Sequence, residues 1–130
     1  VQTRVAGSKI VFKELSYKIM SAVFEVHNTL GPGFLETVYE EALAYELQLQ
    51  GLPVERQREI SVYYKQKLVG YHRLDLLVDG SIILELKAVS ALNEAHKQQL
   101  LSYLKASGIK LGILNSLDKI RPKRKSGSRN

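Results

Sequence analysis

Between Phe12 and Leu30 the apolar residues Leu15, Ile19, Val23 and Val26 recur at steps of three and four, the period of a helix with one buried face. Gly31-Pro32-Gly33 ends that pattern. A second stripe, Leu35, Val38, Ala42, Leu43 and Leu47, predicts a helix over 34–50 with Gly51 as its stop. From Pro53 the pattern changes to extended chain: 54–64 and 67–78 are β-rich and parted by the polar Lys65-Gln66, and Asp79-Gly80 marks a further hairpin into 81–89. Asn93 is placed as the N-cap of a third helix that reaches Ser107 and closes at Gly108, before a short apolar strand, LGIL, at 111–114. The predicted order is α, α, β, β, β, α, β. With 130 residues this is one domain, expected over 12–117, with 1–11 as a flexible N-terminus and 118–130 as a disordered basic tail.

The central hairpin, HRLDLLVDGSIILELKAV at 72–89, is mostly aliphatic yet carries Asp75, Glu85 and Lys87. Unpaired buried charge is costly, so these residues need a partner or a function. A two-residue loop at Asp79-Gly80 would mix apolar and charged side chains on both faces of the strand pair. A three-residue loop, Asp79 to Ser81, sets Leu74, Leu76 and Val78 on one face with Ile82, Leu84 and Leu86, and brings Asp75 opposite Glu85 and Arg73 opposite Lys87. Hydrophobic patterning selects the second register. It places acid opposite acid and base opposite base, the reverse of what a solvated strand pair gains from. A divalent cation shared by the two carboxylates resolves the conflict. Oxygen ligands without cysteine favour a hard ion, Mg²⁺ or Mn²⁺.

Composition is ordinary for a globular protein, 45% hydrophobic and 25% charged, and no apolar run approaches the roughly 20 residues of a membrane span. The absence of cysteine removes disulfide frameworks, and VQTRVAGSKI lacks the apolar core of a secretory signal, so a cytoplasmic location is expected. The net charge of +6 suggests nucleic acid. From Asp118 onward, however, the tail holds six of the 19 basic residues and one of the 13 acids, which leaves the remainder close to neutral. Such a tail is either merely solvating or makes non-specific phosphate contacts.

Asp75 followed by Glu85-Leu86-Lys87 resembles the PD-(D/E)XK nuclease superfamily. GFLETVY, Gly33 to Tyr39, fits the GxxExxY signature of one family within it. The surroundings HNTLGPGFLETVYEEALAYEL, YHRLDLLVDGSIILELKAV and HKQQLLSYLKASGIKLGIL are similar to that family from about Leu15 to Leu114. The resemblance implies an α/β, restriction-endonuclease-like fold: an αβββαβ core with a mixed central sheet flanked by helices, and an extra N-terminal helix. It implies a nuclease that hydrolyses phosphodiester bonds of DNA or RNA with a divalent metal. By position, Asp75 and Glu85 would bind the metal with the backbone carbonyl of Leu86, Lys87 would orient or deprotonate the attacking water, and Glu36 would be an additional acid. Gln99 and Tyr103 match a QxxxY pattern that lines the site in some exonuclease branches.

Each supporting residue also has a plainer reading. Glu36 lies in the first turn of its helix, where any acid is favoured by the macrodipole, and Glu40 one turn on is its substitute. Tyr39 reads as a packing residue with a hydrogen-bonded hydroxyl. His96, Gln99 and Tyr103 share one helix face, either the wet face or a substrate-facing one; Gln99 is favoured for substrate, and a phosphate contact stays open for His96. Arg73 either binds phosphate or caps the acidic pair. The chain departs from the family after Leu114, where it turns to NSLDK, and this puts the completeness of the sheet edge in question. The rival readings are a non-catalytic nucleic-acid or protein-binding module on the same fold and an enzyme acting on a small phosphodiester. A near-neutral body points to low intrinsic affinity or to a protein partner that delivers substrate. A homodimer, DNA against RNA, and endo against exo cleavage all stay open.

Overall fold

The computed structural model describes residues 3–7 and 12–117. The expected basic tail at 118–130 and residues 1–2 and 8–11 of the expected flexible N-terminus lie outside the described residues. The elements are β1 (Thr3–Gly7), α1 (Lys13–Leu30), α2 (Glu36–Leu49), β2 (Val54–Tyr64), β3 (Lys67–Val78), β4 (Ile82–Lys87), α3 (Glu94–Ser107) and β5 (Leu111–Ser116). They form one five-stranded sheet in the order β1-β5-β4-β3-β2. The β4–β5 pair is parallel and the others are antiparallel. This is a mixed sheet flanked by helices, the restriction-endonuclease-like arrangement. A parallel pair needs a crossover, and α3 supplies it.

Each face of the sheet carries its own core. Ile19 and Val23 of α1 and Leu43 and Leu47 of α2 pack on Leu76, Val78, Ile82, Leu84 and Leu86. On the other face Leu100 and Leu104 of α3 pack with Leu77, Ile83 and Leu114. The helix ends follow local chemistry. Asn93 Oδ1 accepts from the His96 amide at 3.0 Å, and Gly108 closes α3 in the left-handed region at φ 78°.

The β3–β4 connection has the register selected by hydrophobic pattern: Val78 pairs with Ile82, Leu77 with Ile83 and Leu76 with Leu84. Asp79 and Gly80 take left-handed φ of 54° and 63°, and the Ser81 amide donates to the Val78 carbonyl at 2.9 Å. One part of the expectation fails: Leu74 does not share the face of Leu76 and Val78 but packs in the core beneath α3. The reason lies in β2. Arg56 pairs with Leu76 and Arg58 with Leu74, while Gln57, at a left-handed φ of 54°, and Asp75 fall outside the ladder. The strand pair turns there, and the alternation of β3 changes sides across Asp75.

The N-terminal segment also differs from expectation. Thr3–Gly7 is a strand, antiparallel to β5, and Thr3 Oγ1 donates to Asn115 Oδ1 at 3.0 Å. β5 does not stop at Leu114 but continues through Asn115 and Ser116, both fully buried. The polar residues that looked like a strand end are interior because β1 covers them.

Candidate active site

The β3–β4 ladder ends at Leu76–Leu84, and the next residue on each strand is an acid. There the side chains replace the backbone ladder. The Asp75 amide donates to Glu85 Oε2 at 3.0 Å, and the Leu86 amide donates to Asp75 Oδ2 at 2.8 Å. The two carboxylates therefore sit side by side in a fork between strands, as the three-residue loop requires. Glu85 is 3% exposed, and burial together with the neighbouring Asp75 pushes its carboxyl up to about 8. Asp75 is raised as well, by burial first, against the lowering effect of the Leu86 N–H.

Lys87, two residues on, turns toward α3, where its Nζ donates to Gln99 Oε1 at 2.7 Å. Glu36 opens α2 from the other face of the sheet. Its carboxyl is raised by desolvation and then by Asp75, so the helix start lies within electrostatic reach of the acid pair. Glu40 is tied elsewhere. It is 4% exposed, accepts from Arg56 Nε at 3.0 Å, and takes Gln57 Nε2 at 3.0 and 3.2 Å on its two oxygens. The Gln57 amide also favours the charged form of Asp75. Glu40 is thus held by Arg56 and Gln57, and its charge, like that of Glu36, reaches the acid pair.

Among the described residues no three His, Cys, Asp or Glu side chains form a ready metal cage. Two adjacent carboxylates and a backbone carbonyl nonetheless fit a hard cation that retains most of its water, as Mg²⁺ does.

The sequence profile of the PD-(D/E)XK nuclease superfamily matches residues 13–127. The chain belongs to this superfamily. No curated protein and no solved structure matches it.

The remaining candidates separate by contact. Tyr103 reaches the site, where burial and the charges of Glu85 and Asp75 push its hydroxyl up to about 12. Its ring stacks on His72 with centroids 3.8 Å apart. His72 is a site neighbour that the sequence pattern does not single out. Its Nε2 is buried without a hydrogen-bond partner among the described residues, and its pKa is lowered by burial and then by Lys87. The Lys65-Gln66 turn alone would set Tyr71 opposite Ile60, and only the register shift between Val62 and Tyr63 brings His72 there. His96 is occupied at the helix start, where its Nδ1 accepts from the Asn93 amide at 3.1 Å. Arg73 is exposed and aligned with Glu59 across β2–β3. It is not aligned with Lys87, because β3 and β4 have already parted. Tyr39 is 2% exposed, donates to the Gly31 carbonyl and accepts from the Phe34 amide, which makes it the clamp of the α1–α2 turn. No described helix is long and apolar enough to cross a membrane.

Proposed function

We propose that the chain is a divalent-metal-dependent nuclease of the GxxExxY kind, hydrolysing phosphodiester bonds of DNA or RNA. The observation that carries this reading is the fork at Asp75 and Glu85, a half-buried and a buried acid locked side by side, with Lys87 on the strand of Glu85. Asp75, Glu85 and the Leu86 carbonyl would hold Mg²⁺ or Mn²⁺, with Glu36 added from the start of α2. The bound ion supplies an acidified water and offsets charge on the phosphate.

The chain's own groups do the rest. The backbone amides of Asp75 and Leu86 fix the two carboxylates, so little freedom is lost on ligation. Gln99 holds the Lys87 ammonium close to the acids, where it orients the attacking water and faces the charge that builds on the scissile phosphate. As the water oxygen bonds to phosphorus, the bond to the leaving oxygen breaks and that oxygen takes up a proton.

Calorimetric titration with Mg²⁺, run beside cleavage of mixed DNA and RNA, tests the reading. Binding is expected in the wild type and lost in Asp75→Ala and Glu85→Ala. Lys87→Ala is expected to keep binding while cleavage falls about 10²–10⁴-fold. A wild type that takes up no divalent ion at millimolar concentration overturns the proposal and leaves a binding module on the nuclease fold.

A further inference from the structure

β4 pairs with β3 only over Leu76–Val78, whereas β2 and β3 stay paired out to Tyr64–Lys67. Among the described residues the outer half of this hairpin is a two-stranded arm with no third strand beside it. From Ile60 to Leu74 the sequence contains no acid, while Lys65, Lys67 and Arg73 are exposed. Tyr63, Tyr64 and Tyr71 are 63%, 62% and 64% exposed, far more than a packing role for tyrosine requires.

One side of the arm runs from the site itself. On β2 the side that takes Ile60 into the core beneath α3 continues through Val62 to Tyr64, and across from them stand His72, Gly70 and Lys67. His72 anchors the inner end by stacking on Tyr103, beside Glu85. Tyr64 marks the outer end, with Lys65 Nζ 5.3 Å from its ring centroid.

Between them Gly70 stands where the β2–β3 register shifts, since Val62 pairs with Gly70 and Tyr63 with Leu68. Its φ is not left-handed, and a Cβ built there meets nothing within 4 Å. Glycine inside a strand is destabilising by roughly 0.5–1 kcal/mol and marks either a bulge, which the neighbouring register shift supplies, or a place where a ligand approaches closely, for which the space over Gly70 is open.

We propose that this side of the arm is a track for single-stranded nucleic acid, with a base stacked on Tyr64, phosphates against Lys65 and Lys67, and the strand crossing Gly70 toward the acids. The proposal deepens the nuclease reading and takes its direction from it. Unpaired bases offer a π-face to an aromatic platform, which a duplex keeps covered. A nearly neutral body also lacks the charge to hold a duplex by its backbone alone.

The test is fluorescence anisotropy with labelled oligo-dT, oligo-rU and a matched DNA duplex in EDTA, where cleavage does not intervene. The wild type is expected to prefer single strands. Tyr64→Ala and Gly70→Val should each weaken that binding on the order of ten-fold, while Tyr64→Phe retains it. Unchanged Mg²⁺ titrations in all three variants show that the site remains folded. Equal oligonucleotide affinity in the wild type, Tyr64→Ala and Gly70→Val overturns the track, and continued cleavage then leaves the nuclease reading standing. A concentration-dependent dimer that Tyr64→Ala abolishes, with oligonucleotide affinity unmoved, also overturns it and assigns the arm to a second copy of the chain. Single-strand binding lost in Tyr64→Ala, in a protein that takes up no Mg²⁺ and cuts nothing, upholds the track and removes the nuclease.

Discussion

Glu85 is an acid whose surroundings favour its neutral form, since burial and Asp75 act in the same direction. Its folded pKa of about 8 stands above the ordinary 4.5. Between those pH values the native state binds more protons than the unfolded chain, so stability falls as pH rises. Melting of the protein in EDTA should therefore decline from about pH 5 to pH 8. Glu85→Gln should flatten that slope and melt above the wild type at the alkaline end, by a few kcal/mol at most. A wild-type profile that climbs over this range contradicts the assignment. Gln57 makes a second case at this scale. Its left-handed backbone suits glycine better than glutamine, yet its amide donates to Glu40 and favours the charged form of Asp75. Gln57→Gly removes the amide and relieves the backbone at once. The expected result is a melting temperature close to wild type with Mg²⁺ affinity reduced 10- to 100-fold, the usual consequence of losing a group that orients a ligand. A fall in melting temperature without a change in affinity would assign Gln57 to the fold alone.

The elements differ in how far their own residues announce them. The helix stops at Gly51 and Gly108 and the cap at Asn93 are local chemistry, and all three were legible in the sequence. The fork was legible too, because only one register keeps Leu76, Val78, Ile82 and Leu84 together, and that register sets Asp75 beside Glu85. β1 was not. Of its five residues only Ala6 is fully buried, and its partners lie more than a hundred residues away, so no short-range pattern marks it. The sideways step at Leu74 was equally hidden, because it follows from a left-handed glutamine on the neighbouring strand. Close packing of α3 on β5 gives a prediction at this scale. A Cβ at Gly112 would stand 2.7 Å from the Leu100 side chain, with the branch carbon itself at 2.9 Å. Gly112→Ala must push α3 outward, and a loss of about 1–3 kcal/mol is expected in urea unfolding. Because α3 carries Gln99 and Tyr103, cleavage should weaken in the same variant, whereas Mg²⁺ binding by the strand acids should persist.

Across the whole molecule the site depends on a chain of strand pairings that ends at β1. Glu85, Leu86 and Lys87 of β4 lie beside Leu114, Asn115 and Ser116 of β5, and the other edge of β5 is taken by Thr3–Gly7. Without β1 the β5 backbone from Leu111 to Asn115 would present unpaired amides and carbonyls to solvent, the kind of edge that recruits other chains. Asn115 would lose the hydroxyl of Thr3 and become wetted where it is now wholly buried. Removing residues 1–7 should therefore do three things together. The melting temperature should drop on the order of 10 °C, as a loss of about 2 kcal/mol produces in a domain of this size. Sedimentation should show association that grows with concentration. Mg²⁺ affinity should fall as well, because a loosened β5 no longer steadies the strand that carries Glu85. Val5→Pro is a gentler form of the same change, since proline withdraws an amide from a strand that pairs on one side only. A truncated protein with unchanged melting, mass and metal affinity would mean that β5 holds its own edge and that the fork at Asp75 and Glu85 is supported from β3 and the helices alone.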